Sequence, residues 1–122
     1  MSAGDAVLAA FDAALRARVE AAFGEAGLPR MALALAGSSD WGTKTERGRE
    51  LRTNVTLRVA EGQALRLPTL VEAAESAGID LAGRLEGGWR IASSALLRTR
   101  LSTEKMMRVA VVEHRVRVLQ ED

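Results

Sequence analysis

Along the first fifth of the chain, apolar residues recur at three- and four-residue steps. Leu8, Phe11, Leu15, Val19 and Ala22 share one side of a helix predicted from about Asp5 to Phe23. Ser2 and Asp5 suit its start. Gly24, Gly27 and Pro29 suit its end, because glycine accepts the left-handed cap and proline cannot continue the helix. The period then drops to two. Met31, Leu33 and Leu35 alternate with Ala32, Ala34 and Ala36, which predicts a strand covered on both faces. A second strand is predicted from Leu51 to Ala60, with Val55, Leu57 and Val59 inward and Asn54, Thr56 and Arg58 outward.

A second helix is clearest from Leu70 to Ala77. Thr69 and Glu72 have the spacing of a capping box, and Gly78 suits its end. Gln63 to Leu67 extends it backward with a kink at Pro68, or the helix begins at Thr69; the pattern allows both. After a Gly87-Gly88 turn, Trp89–Leu101 and Met106–Leu119 read as two long strands of a hairpin joined by Ser102 to Lys105. Shifts of phase near Leu96-Leu97 and Val111-Val112 predict bulges or strongly twisted strands. The order is αββαββ within one domain spanning residues 1–122, and no residue-level repeat links the halves. The expected fold class is α+β, with two helices packed on one face of a four-stranded, mainly antiparallel sheet.

Composition narrows the chemistry. A chain of 122 residues without cysteine has no disulfides and no thiolate metal site. No apolar run reaches the ~18 residues of a membrane span, and no signal-peptide pattern opens the chain, so a soluble, unexported protein is expected. The net charge of +1 hides an uneven distribution, since residues 84–118 hold eight basic side chains and three acidic ones. Nearly all are arginine, a bias that a GC-rich genome also produces. Arg98 and Arg100, and likewise Arg115 and Arg117, are two apart within their strands, so an Arg-rich sheet face is expected, either solvated or bound.

Catalytic readings find little support. Gly37 to Thr45 resembles a phosphate-binding loop, but Thr43 intrudes between Gly42 and Lys44, and a strand follows where a helix is needed. His114 is the only histidine and reads as an ordinary surface or interface residue. Glu72 and Glu75 read as a solvated helix face, and Asn54-Val55-Thr56 as a chance glycosylation triplet. No catalytic, cofactor-binding or metal-binding residue is expected. Trp89 reads as core. Trp41 is either a lid over the core edge or an anchor in a partner's pocket.

The connector from Asp40 to Glu50 is too long for an ordinary hairpin loop and carries charges of both signs, which favours a projecting arm that meets protein. Its run Trp41-Gly42-Thr43-Lys44-Thr45-Glu46-Arg47-Gly48-Arg49-Glu50, followed by a Leu-x-x-x-Val-x-Leu strand, resembles the tail completion family of phages, and within it the members found in gene transfer agents. The layout of elements matches over nearly the whole chain. Pro68 departs from the family pattern at the second helix. The resemblance implies a structural, non-enzymatic tail terminator. Such a subunit forms a hexameric ring on the finished tail tube and offers a docking surface to the head–tail connector. DNA passes through the ring without sequence-specific binding. It also implies assembly in the bacterial cytoplasm, within a phage-like tail, away from membranes. Partner contacts are expected at Trp41, Lys44, Thr45, Glu46, Arg47, Arg49 and Glu50, with Arg98, Arg100, Arg115 and Arg117 as a second patch. The alternative is a small nucleic-acid-binding module that uses the arginines of the C-terminal hairpin.

Overall fold

The computed structural model describes residues 1–24 and 30–121. Helix α1 spans Ala3–Phe23, and the Ser2 hydroxyl accepts the Asp5 N–H, filling one of the donors left open at a helix start. It ends at Gly24, whose φ of 78° lies in the region glycine enters freely. The expected stop signals Gly27 and Pro29 lie outside the described residues. Then follow β1 (Arg30–Asp40), β2 (Gly48–Ala60), a 3₁₀ segment (Glu61–Arg66), α2 (Leu67–Ile79), β3 (Arg84–Leu85), β4 (Trp89–Glu104) and β5 (Met107–Gln120).

All pairings are antiparallel, in the order β1-β2-β5-β4-β3. The sheet therefore has five strands, one more than expected. The addition is β3, whose two residues are too short to show any period and which exists through pairing with Trp89 and Arg90. The two central strands, β2 and β5, supply alternate buried residues to one face: Leu51, Val55, Leu57 and Val59 from β2, and Ala110, Val112, Val116 and Val118 from β5. Val7, Phe11, Leu15 and Val19 of α1 and Leu70, Ala74 and Ala77 of α2 close over them. Phe11 and Leu15 are fully buried, each contributing about 1.5–3 kcal/mol on transfer from water.

Several expected boundaries move. Strand β1 is an edge strand and is not covered on both faces: Met31 and Leu33 are half-buried beneath the helices, while Ala32, Ala34 and Ala36 are exposed. Helix α2 begins at Leu67, so Thr69 lies inside it and no capping box forms; Pro68 falls in the first turn, where its missing N–H costs nothing. Gly78 is a buried member of this helix, which ends at Ile79 with Asp80 as its cap. Strand β4 continues to Glu104, so the hairpin turns at Lys105-Met106 instead of over Ser102–Lys105, with Lys105 at φ 49°. Bulges lie between Ile91 and Ser93 and between Leu96 and Arg98, the latter at the expected phase shift, whereas β5 runs through Val111-Val112 without one.

His114 is not a surface residue. It is fully buried, edge-on to Phe11 at 5.3 Å between ring centroids, with Nε2 3.0 Å from the Glu75 carbonyl oxygen. Gly78 gives the ring its space, since a Cβ there would run into it. Burial pushes the imidazole below its ordinary pKa, opposed by the contact with the Glu75 carbonyl, so the ring is neutral in the folded chain near pH 7.

Candidate interaction surface

Residues directly opposite one another in neighbouring strands share a face, so the register assigns the uncovered side of the sheet. Its rows include Arg30-Arg58, Asn54-Glu113-Arg98, Arg52-Arg115-Ala95, Glu50-Arg117-Ser93 and Leu119-Arg90, with Thr56, Val111 and Arg100 in one row and Glu104 near the hairpin tip. Eight arginines therefore share this face with three glutamates. The helices that cover the other side carry Asp5, Asp12, Glu20, Glu72 and Glu75 against Arg16 and Arg18 only. The near-neutral total conceals a basic side and an acidic side.

Each of two glutamates on the basic face holds two guanidiniums. Glu113 accepts from Arg98 at 2.6 Å and from Arg100 at 2.9 Å. The Arg98 hydrogen bond pushes the Glu113 carboxyl below its ordinary pKa, while desolvation opposes the shift. Glu50 accepts from Arg117 at 2.9 Å and has Arg115 at 3.9 Å. Arg117 also lies over the Trp41 ring, 5.1 Å from its centroid. Arg58 pairs with Glu104 at 3.6 Å; Arg52 and Arg30 have no ion-pair partner among the described residues.

The connector is not a long projecting arm. Ser38–Asp40 and Gly48–Glu50 are paired strand, leaving Trp41 to Arg47 as the loop. Asp40 accepts the Gly42 N–H, and the Thr43 hydroxyl accepts the N–H groups of Thr45 and Glu46. The Thr43 N–H donates back to the Glu46 carbonyl, and the Gln120 N–H donates to the Arg47 carbonyl. Of the residues expected to meet partners, Glu46 pairs with Arg90, Arg49 donates to the Ser38 hydroxyl, and Glu50 joins the arginine cluster. Lys44 and Arg47 are exposed and have no ion-pair partner among the described residues. With Thr43, Thr45, Glu46 and the β5 terminus they line a polar groove of about 550 Å³. The loop joins two strands and no helix follows it, so the phosphate-loop resemblance has no structural counterpart.

Sequence reasoning missed the contribution of β2 and β1 to the basic face. Arg52 and Arg58 are each one period of strand alternation from Glu50 and Thr56, but only the pairing of β2 with β5 reveals that they join the hairpin arginines. It also missed a mainly apolar recess of about 440 Å³ lined by Leu67, Pro68, Val71, Thr99, Leu101 and Arg108. Trp89 is partly buried against the core, as a core reading requires, with Nε1 3.4 Å from the Met1 carbonyl oxygen. Among the described residues no grouping of His, Asp or Glu has a metal-binding arrangement, and no helix is long and apolar enough to cross a membrane.

No protein-family model matches the sequence, and no curated protein matches it. Among solved structures, the chain is similar to one from the virion of a native gene transfer agent particle. That similarity has a TM-score of 0.59 and 25% sequence identity, and covers 93% of this chain and 98% of the other.

Proposed function

We propose that this chain is a structural subunit of a phage-like particle, a tail terminator that closes into a ring on the finished tail tube and presents a surface to the head–tail connector. The observation that carries the reading is the end-to-end similarity to a chain of a gene transfer agent virion. The match runs over nearly the whole of both chains, so the likeness is one of overall fold and not of one shared motif. The ring, its copy number of six, assembly in the bacterial cytoplasm and passage of DNA through the ring are parts of the same proposal.

The edges of the sheet support self-assembly. The outer edge of β1 has no strand partner among the described residues, nor does β4 beyond Ile91, where β3 ends. From Met31 to Gly37 the β1 edge carries no charge or proline, devices that commonly guard an exposed edge. In this sheet β1 and β4 run in opposite directions, so copies related by rotation bring the β4 edge of one antiparallel to the β1 edge of the next. Such a contact is heterologous and closes into a ring if the rotation closes.

The loop at Trp41 to Arg47 is the proposed contact with the tail tube, through Lys44, Thr45 and Arg47. Glu46, Arg49 and Glu50 act on this reading by holding it in place. Co-sedimentation with purified tail tubes tests the assignment. The wild-type chain is expected in the tube fraction, and the charge reversal Lys44→Glu with Arg47→Glu is expected to abolish co-sedimentation while leaving the circular dichroism spectrum unchanged. Wild-type sedimentation by the folded double variant would remove the loop from the contact.

A further inference from the structure

We propose that the open face of the sheet is a docking surface for the phosphate backbone of double-stranded nucleic acid, read without regard to base sequence. The inference rests on this subunit's own face and does not depend on ring closure.

The first support is the sign and position of charge. Eight arginines and three glutamates on its strands give the face a formal excess of five positive charges, reduced to three where Glu46 and Glu121 reach Arg90, on the side opposite an acidic helical layer. A chain of net charge +1 has little overall attraction for a polyanion, but this separation orients one so that it meets the sheet.

The second is preparation of the arginines. Guanidinium has five N–H donors, and one carboxylate serves both Arg98 and Arg100, so most donors of these two remain unused, whereas Arg115 Nε is buried and Arg117 lies over Trp41. Glu113 and Glu50 fix where the arginines point and cancel one of the two positive charges in each cluster, leaving one. Arg98 and Arg100 remain more than half exposed, at 59% and 56%. Same-face residues on a strand recur about every 6.7 Å, a spacing similar to that of successive phosphates along a nucleic-acid strand.

The third is what the face lacks. A stable protein interface usually has an apolar centre from which charge is depleted, whereas the middle rows here hold Arg52, Arg115, Arg98 and Glu113. The one nearby tryptophan, Trp41, lies beneath Arg117, so no row of aromatic platforms is available to stack unpaired bases. Phosphate contact without base readout is the mode that remains.

Fluorescence anisotropy with a labelled random-sequence duplex tests this. If about four phosphates are neutralised, log affinity falls against log salt with a slope near −3.6, about a hundred-fold loss between 50 and 200 mM. Arg52→Gln with Arg58→Gln is the first variant, since Arg52 has no ion-pair partner among the described residues and Arg58 only an exposed one. It should reduce the slope by nearly two. Lys44→Glu with Arg47→Glu, in the loop, should leave the slope as in the wild type. A second probe, polyglutamate, should bind far more weakly than the duplex. Absence of duplex binding at 50 mM salt, an unchanged slope in the Arg52/Arg58 variant, a slope carried by Lys44 and Arg47, or a preference for polyglutamate would each overturn the proposal. Ring assembly, scored separately by electron microscopy, stands or falls independently of all four outcomes.

Discussion

At the scale of single residues, the fold's least obvious feature is a neutral imidazole in the core. His114 and its opposite neighbour Thr53 are both fully buried, and His114 Nδ1 and Thr53 Oγ1 have no hydrogen-bond partner among the described residues. Below the ordinary histidine value of 6.5 the unfolded chain takes up a proton that the folded chain resists, so stability should fall as pH drops from 6.5 toward the depressed folded value. Glu113 acts in the same direction lower down. Its carboxyl is held below the ordinary 4.5, so its contribution is present above that value and is lost as pH falls toward the folded one. Melting temperature followed by circular dichroism from pH 8 to 4 should decline from just under 6.5. His114→Leu should remove that first decline and keep the later one; a wild-type profile flat between pH 7 and 5 would contradict the account of the ring. Gly78→Ala is a sharper steric probe. Alanine ordinarily gains about 1 kcal/mol over glycine within a helix, yet here its methyl would meet the His114 ring. Overpacking costs typically 1–3 kcal/mol, so urea titration should show net destabilisation.

At the scale of elements, legibility followed the strength of the local period. The inward residues of β2 and the middle of α1 were plain in the sequence because two- and 3.6-residue repeats placed Val55, Leu57, Val59, Phe11, Leu15 and Val19 at buried positions, while at the ends of α1 Val7 is buried in place of Leu8 and Ala22 is exposed. The polar ends of β1 and β2 were not. Ser38–Asp40 has no apolar alternation, and it is extended because Ser38, Ser39 and Asp40 pair with Leu51, Glu50 and Arg49. The same pairing shortened the connector and placed Arg49 and Glu50 in a strand. The Thr69-x-x-Glu72 signal lost to the 3₁₀ segment, which delivers the chain into α2 already coiled at Arg66. Of the candidate site, the arginines of β4 and β5 were legible by alternation, and the added charge of β2 required knowing which strands are neighbours. The unguarded edges lead to a prediction at this scale. In one chain β1 and β4 are separated by β2 and β5, about 14 Å at the usual strand spacing, beyond the reach of a disulfide. Because the chain has no native cysteine, Ser102→Cys combined in turn with Ala32→Cys, Ala34→Cys or Ala36→Cys can cross-link only between copies. Oxidation should give a ladder of multimers for at least one pair on a non-reducing gel. Dimers from the β1 cysteines alone, without a ladder, would replace the proposed contact with a two-fold one.

At the scale of the whole molecule, the sheet separates an acidic helical side from a basic open side, and the outer edge of β1 and that of β4 beyond Ile91 have no strand partner among the described residues. The proposed edge-to-edge repetition would keep all helical layers on one surface and all arginine faces on the other, so that the charge separation within one subunit would become a property of the assembly. Such a ring has different inner and outer surfaces, and the loop from Trp41 to Arg47, at the strand ends, lies toward one rim. That geometry suits a component that meets a tube on one side and a connector on the other. The direct measurement is negative-stain electron microscopy of tail tubes incubated with a tagged form of this chain. The account predicts closed rings of label at one end of each tube and no further growth when fresh tube protein is added. Label scattered along the tubes, or tubes that keep growing past bound protein, would contradict it.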